Sequence, residues 1–262
     1  MDLAQAREYD ALRPRYPDEV VAHILATGAA GAAGEAAQRI VELGAGTGIL
    51  TRALMRSGQG QGQGQREGVS IEALEAVEPS AIMAEVLRQR SGDAVDQGLL
   101  RVHRSTAEDT GLEAGGADVV VASQAWHWFD APVVQREIHR ILAPGGVLMI
   151  VSNHLDTEDA WIHRLTRIMR AGDIYRPGGA PALHPGLFLP VETMETRWTR
   201  ELTSAGVRRL ATTLSSWLSA GEKERQRRRA NLDWYLGEHT GLAPEDQVVL
   251  PYVTVLHAAR RR

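Results

Sequence analysis

The sequence has no cysteine, a single lysine (Lys223) within its 29 Lys and Arg residues, and two phenylalanines in 262 positions. Without cysteine there is no disulfide framework, no thiolate-ligated zinc or iron–sulfur cluster and no thiolate nucleophile. Lys223 stands in Gly-Glu-Lys-Glu-Arg, which excludes a phosphate-cradling loop of the Gly-x-x-x-x-Gly-Lys-Ser/Thr type. Apolar runs such as Val147–Val151 fall far short of the roughly 20 residues that cross a bilayer. A formal charge of −4 creates no general attraction to nucleic acid or to an anionic membrane. The opening Met-Asp-Leu-Ala-Gln-Ala-Arg-Glu has acids where a secretory leader has a basic end and an apolar run. The expectation is a cytoplasmic protein with no nucleic-acid or membrane partner; its oligomeric state stays open.

What is present alternates. Ile40–Leu43 ends in Gly44, Val69–Val77 in Glu78-Pro79, Leu99–Val102 near Ser105, Asp118–Ala122 in Ser123, and Val147–Val151 in Ser152-Asn153. Segments of helical period lie between these runs, at Ile49–Ser57, at Ser80–Arg90 with Ser80 as N-cap, and from Asp130 through Ile141 with Pro132 in the first turn. Asp18–Thr27 reads as a further helix ahead of the first strand. Strand and helix in alternation, with near-continuous Val, Ile and Leu in the strands, predict an α/β fold: a doubly wound parallel sheet covered on both faces. Two small-residue stretches, 29–37 and the Gly-Gln alternation of 58–65, read as connectors. After Asn153 the rhythm changes to a helix near Ala160–Arg170, a Pro/Gly loop at Arg176–Pro181, a strand at Glu192–Thr203, helices over Ser204–Thr240 and a last strand from Gln247. The organisation expected is one Rossmann-like domain with a seven-stranded core at about 36–156, 190–203 and 246–260. Segments 1–30 and 157–245 form its cap.

In open α/β sheets ligands bind beyond the carboxyl ends of the strands. The first strand ends Glu42-Leu43-Gly44-Ala45-Gly46-Thr47-Gly48, whose glycines permit sharp turning and close approach before a helix N-terminus. Position 49 is Ile, so the third glycine of a dinucleotide fingerprint arrives one residue early, which disfavours a pyrophosphate binder. Glu78, at the end of the second strand and 34 residues beyond Gly44, stands where a carboxylate would hold a ribose diol; the plainer reading is a solvated loop acid. Thr106-Ala107-Glu108 follows the third strand, and Ser123-Gln124-Ala125-Trp126-His127-Trp128-Phe129-Asp130 follows the fourth. The aromatics there either wall a pocket or anchor the next helix.

These motifs, with Val77-Glu78-Pro79-Ser80 and Leu142-Ala143-Pro144-Gly145-Gly146, resemble in order those of the class I S-adenosylmethionine-dependent methyltransferases. The opening Tyr9…Arg13-Pro14-Arg15-Tyr16-Pro17 and the closing Leu250-Pro251-Tyr252-Val253-Thr254 are similar to the small-molecule, trans-aconitate-type (type 11) branch. The resemblance implies that Gly44, Ala45, Gly46 and Gly48 pass the methionine part of S-adenosylmethionine, with Glu42 toward its ammonium. Glu78 would hold the ribose, and Pro79, Ser80, Met83, Thr106, Ala107 and Glu108 would surround the adenine. Ser123 and Gln124 would pass beside the sulfonium, and Tyr9, Arg13 and Tyr16 would belong to a lid. Thr106 replaces the commoner carboxylate of this motif, which moves the adenine contact toward Glu108 or a backbone carbonyl.

For a sulfonium methyl donor, positioning and desolvation supply most of the catalysis. A neutral hydroxyl acceptor also needs a base, and His127 is the candidate; its plainer reading is a histidine that shapes the pocket. Tyr9, Arg13, Trp126, Trp128, Asn153 and His154 are the candidate substrate contacts. No metal site is expected, because no carboxylate cluster stands at the strand ends. The basic run Lys223–Arg229 either meets an anion or is a solvated helix face. The function expected is methyl transfer to a small organic molecule, of secondary metabolism, with the O-, N- or C-acceptor open. The alternatives are an NAD(P)-dependent oxidoreductase and a non-catalytic or cyclising protein that keeps the cofactor as a structural ligand.

Overall fold

The computed structural model of the chain describes residues 1–29, 38–58, 71–169 and 179–262. Most of the expected small-residue connector and Gly-Gln tract, the strand start at Val69 and Ser70, and Arg176-Pro177-Gly178 lie outside the described residues. The strands are β1 (Gln38–Leu43), β2 (Ile71–Val77), β3 (Leu100–His103), β4 (Ala117–Ser123), β5 (Leu142–Leu155), β6 (Glu192–Thr203) and β7 (Gln247–Arg260). They form one seven-stranded sheet in the order β3-β2-β1-β4-β5-β7-β6. β1 runs parallel to both β2 and β4, so the strand order reverses beside it. The mixed α/β, Rossmann-like sheet expected from the sequence is present.

By compactness the chain divides into two units, and β5, β6 and β7 each pass from one into the other. The first unit comprises Arg15–Ser152, Gly179–Glu195 and Val255–Arg262. It contains α2 (Asp18–Ala29), α3 (Ile49–Gly58), α4 (Ala81–Arg90), α5 (Gly92–Asp96) and α6 (Ala131–Ile141). Its strands explain their own composition. Ile40, Val119, Val121, Val147 and Met149 pack in one apolar cluster with Val20 and Ile24 of α2 and Leu50 and Leu54 of α3. The alternate residues Val41, Val120, Leu148 and Ile150 pack in another with Val134 and Ile138 of α6. Successive strand side chains point to opposite faces, and both faces here are covered, so the strands read as continuous apolar runs. The N-caps are those expected: Ser80 Oγ accepts from Met83 N at 3.4 Å and Asp130 Oδ1 accepts from Val133 N at 3.2 Å.

The second unit comprises Met1–Pro14, Asn153–Gly178 and Thr196–Thr254. It holds α1 (Leu3–Leu12), α7 (Ala160–Met169), α8 (Ser204–Thr212), α9 (Ser215–Leu218) and α10 (Glu222–Asp233), around an apolar cluster that includes Leu155, Ile162, Leu165, Val207, Leu232, Tyr235 and Leu250.

Four features differ from the sequence reading. Helix α2, expected in the cap, belongs to the sheet unit because Val20, Val21, Ile24 and Leu25 are buried in its core. Residues Thr196–Thr203 of β6 and Gln247–Thr254 of β7 group by compactness with the second unit, although both strands join the seven-stranded sheet as expected. The expected turn at Leu142–Gly146 is absorbed into β5 as an irregularity. Ala117 pairs with Leu142 and Val119 with Val147, so two steps along β4 correspond to five along β5, and Gly145 takes φ +78° to allow it. Two helices, α1 and α5, have no counterpart in the sequence reading. The first is set by a reciprocal capping box in which Asp2 and Gln5 each accept the other's backbone N–H, at 2.8 and 2.9 Å.

Candidate functional site

Register brings the motif residues of the sheet unit together. Leu43 pairs with Val77, Val77 with His103 and Ser123 with Val151, so the carboxyl ends of these strands are level. The ladder continues one residue further at each end: Gly44 N donates to Val77 O at 2.9 Å, Glu78 N to His103 O at 3.0 Å and Gln124 N to Val151 O at 2.8 Å. The glycine loop, Glu78 and Gln124 therefore emerge side by side at the point where the strand order reverses, which is where open α/β sheets bind ligands.

The loop after β1 is tied down from within. Ala45 N donates to Val77 O and Gly48 N to Ala45 O, while Gly46 N donates to Glu78 Oε2 at 2.9 Å. Arg52 Nη1 donates to Thr47 O at 2.6 Å. With the amides of Gly44, Ala45, Gly46 and Gly48 engaged inside the protein, the loop offers no nest of free N–H groups to a pyrophosphate. It offers a glycine surface instead. Gly44 has φ +67°, and a Cβ there would lie 2.6 Å from Ala125 Cβ, with Phe129 next at 3.3 Å. Gly46 has φ +58°, and a Cβ there would meet no heavy atom within 4 Å. One glycine seats the loop on the turn after β4, and the other opens onto free space.

Glu78 is 7% exposed, and its Oε1 accepts Ser80 N at 2.8 Å. Burial raises its pKa, and the backbone N–H groups of Ser80 and Gly46 oppose the rise. Glu42 is fully buried, with Oε2 accepting from Thr51 Oγ1 at 2.5 Å and Oε1 from Ser123 Oγ at 2.7 Å. Desolvation raises its pKa from 4.5 to about 7 against the two hydroxyls and Arg52. Among the described residues Gln124 is the one non-glycine with positive φ, +54°. Such backbone strain persists where the surroundings over-determine it, often at functional sites.

The other sequence candidates of this unit are placed as follows. Tyr16 is buried in the cluster with Val20 and Ile40. Pro79, Ser80 and Thr106 are exposed, Met83 is half-buried and Ala107 is buried. Glu108 Oε1 accepts Asp130 N at 3.0 Å. Trp126, His127 and Trp128 form a 3₁₀ turn after β4. Trp126 meets Phe129 edge-on at 6.2 Å, and the exposed His127 lies 5.1 Å from the ring of Trp128, which is 67% exposed.

Tyr9, Arg13, Asn153 and His154 belong to the second unit. Arg13 lies over the Tyr9 ring at 5.3 Å. Asn153 is buried, and its Oδ1 accepts Thr254 Oγ1 at 2.5 Å while Thr254 Oγ1 accepts Trp198 Nε1 at 2.8 Å. His154 is half-buried. Trp198 stacks on Tyr252 at 4.9 Å, and the Tyr252 hydroxyl bonds to Arg200. Burial raises the Tyr252 pKa, opposed by Arg200 and Arg13, and burial lowers that of Arg200, with Arg13 adding to the fall. Sequence reading missed Thr51, Arg52, Trp198 and Arg200. The signal for Thr51 was a polar residue on the buried stripe of α3; Trp198 and Arg200 had none.

Residues 41–150 match the family model described as a methyltransferase domain. A methyltransferase of Mycobacterium tuberculosis (strain ATCC 25618 / H37Rv) is 32% identical over 248 residues, spanning 94% of this chain and 90% of that relative. The chain is a class I S-adenosylmethionine-dependent methyltransferase. A second relative of this methyltransferase, from Schizosaccharomyces pombe, is 24% identical over 258 residues, 97% of this chain and 94% of its own. Among solved structures, a chain from Anaeromyxobacter dehalogenans assigned to the type II methyltransferases superposes with TM-score 0.58 at 23% identity, covering 95% of this chain and 97% of its own. That likeness shows the fold. The cofactor is S-adenosylmethionine, and the residues present fit it: a glycine loop open at Gly46, a buried carboxylate at the end of β2 and no free amide nest for phosphates. Among the described residues of the methyltransferase, no group of three or more His, Asp or Glu could hold a metal, and no helix is long and apolar enough to cross a membrane.

Proposed function

We propose that the methyltransferase transfers the methyl group to a small organic acceptor, by positioning and desolvation rather than by a covalent intermediate. The observation that carries this reading is the Gly46–Glu78 unit, which joins an open glycine surface to a carboxylate held rigid by two backbone N–H groups. When bound, the cofactor supplies a sulfonium-activated methyl electrophile. Glu78 keeps acceptor lone pairs for the ribose hydroxyls, and Pro79, Ser80, Met83, Thr106, Ala107 and Glu108 line the adenine side. Glu42, buried beneath the loop and bound to Thr51 and Ser123, lies on the ammonium side, and Ser123, Gln124 and Tyr16 complete the cofactor site. Trp126 and Trp128 of the sheet unit and, taken separately, Tyr9, Arg13, Asn153 and His154 of the second unit are the acceptor contacts proposed. Arg13, with Arg200 and the Tyr252 hydroxyl close by in the same unit, favours a polar or anionic acceptor over an apolar one. His127 takes the acceptor proton where the nucleophile is a neutral hydroxyl.

Calorimetry with S-adenosylmethionine and its demethylated product tests the cofactor half. Both should bind, and Gly46→Arg, which fills the open space above the loop, should abolish binding while the chain still folds. Transfer of a labelled methyl group to small acceptors tests the rest. His127→Asn should lower kcat and remove the acidic limb of the pH profile, where protonation disables the base, with cofactor affinity unchanged; an unaltered profile assigns His127 to pocket shape alone.

A further inference from the structure

An arginine-lined cleft lies in the helical unit. Helices α7 and α10 flank a cleft of about 510 Å³ lined by Arg164, Arg167, Glu224, Arg227, Arg228 and Asn231 among other residues. Four guanidiniums thus face one carboxylate on a chain whose formal charge is −4. Glu224 is already shared: its Oε2 pairs with Arg227 Nη2 at 2.7 Å and its Oε1 accepts Arg228 Nε at 2.9 Å. Neither Arg164 nor Arg167 has an ion-pair partner among the described residues.

The arginines are also held in place. Arg228 is 8% exposed, and its Nη1 donates to Ser216 O at 2.7 Å. The Arg164 guanidinium lies 5.7 Å over the ring of Trp234 and 5.5 Å over that of Tyr235, and the Tyr235 hydroxyl is fixed by donating to Trp161 O at 2.9 Å. Each guanidinium carries five N–H donors in a planar fork, so Arg227, with its one contact to Glu224, keeps most of them available, while the buried Arg228 is committed to Glu224 and Ser216 O and contributes its charge. A solvated helix face spreads its cations into water. Here the basic run of α10 closes on the arginines of α7 across a concave space, where like charges repel until an anion enters.

We propose that this cleft binds a small organic molecule carrying a phosphate or diphosphate group. The planar forks match phosphate oxygens two at a time, and the excess of three positive charges, four arginines over Glu224, suits a ligand of two or three negative charges. The volume exceeds that of a bare phosphate and falls in the range of small-molecule sites, about 300–1,000 Å³. The assignment does not depend on the methyl-transfer reading, because the residues concerned are not those assigned to cofactor or acceptor.

The test is calorimetric titration of the full chain with pyrophosphate at physiological ionic strength. One saturable site is expected, weakening as salt is raised. Arg164→Ala with Arg167→Ala should lower the affinity about tenfold or more, and Arg167→Ala with Arg227→Ala, two exposed positions, should do the same if the first pair unfolds the chain. Arg56→Ala with Arg136→Ala removes equal charge elsewhere and should leave the affinity unchanged. S-adenosylmethionine should bind equally to all of them. Absence of saturable binding, an equal loss in the Arg56/Arg136 variant, or tighter binding of a single-stranded oligonucleotide than of pyrophosphate would overturn the proposal.

Discussion

Glu78 Oε2 accepts the N–H of Gly46 at 2.9 Å, joining the end of β2 to the middle of the loop that follows β1. The other carboxylate oxygen takes Ser80 N, so one side chain both fixes the glycine loop and starts α4. Glu78→Ala releases both N–H groups. It should weaken S-adenosylmethionine binding at least tenfold, about 1.4 kcal/mol, and lower stability by roughly 1–3 kcal/mol for the lost charge-assisted hydrogen bonds. Calorimetry and thermal denaturation read the two effects separately. Unchanged affinity in a folded variant would remove Glu78 from the cofactor site.

The buried Glu42 gives a pH signature. Its folded pKa, about 7, lies above the ordinary 4.5, so the folded chain keeps a proton there that the unfolded chain has lost. Its contribution is therefore most favourable below about pH 4.5, declines as pH rises, and reaches its full penalty above about pH 7. A displacement of this size corresponds to about 3 kcal/mol. Glu42→Gln removes the titration and should gain stability relative to the parent between pH 5 and pH 8, by an amount of that order, in denaturant titrations at the two pH values. Parallel behaviour at both would show that Glu42 is already ionised in the folded chain.

Gln124 holds φ +54° directly after β4, a conformation that costs a side-chain-bearing residue about 1–2 kcal/mol. Gln124→Gly relieves that cost, so the variant should melt no lower than the parent. If the side chain serves the cofactor, methyl transfer should nonetheless fall several-fold. Lower stability with full activity would reverse the assignment.

In the helical unit, Thr254 is the hinge of a buried chain of hydrogen bonds from Trp198 through its hydroxyl to Asn153. Thr254→Val keeps the volume and removes both bonds, leaving Trp198 Nε1 without its acceptor and Asn153 Oδ1 without its donor. The cost should be about 1–3 kcal/mol in chemical denaturation, with S-adenosylmethionine affinity unchanged. A loss under about 0.5 kcal/mol would show that water replaces the hydroxyl.

Much of this protein was legible in the order of its residues. Continuous apolar runs, ended by Gly44, Glu78 and Ser123, carry the parallel sheet and point to the proposed cofactor site, because a strand buried on both faces must be apolar throughout and ligands of such sheets lie at the carboxyl ends. The missing cysteines and the lone Lys223 narrowed the chemistry to a reaction whose electrophile arrives with the cofactor. Tertiary structure decided the rest. Glu42 is matched with Thr51 and Ser123, which lie 9 and 81 residues away, and Arg13 is set near Arg200 and Tyr252. The basic run of α10 became one wall of a cleft only because α7 brought its own arginines opposite. Periodicity reports which face of an element is buried. Which polar groups meet across that burial depends on chain crossings that no local pattern encodes.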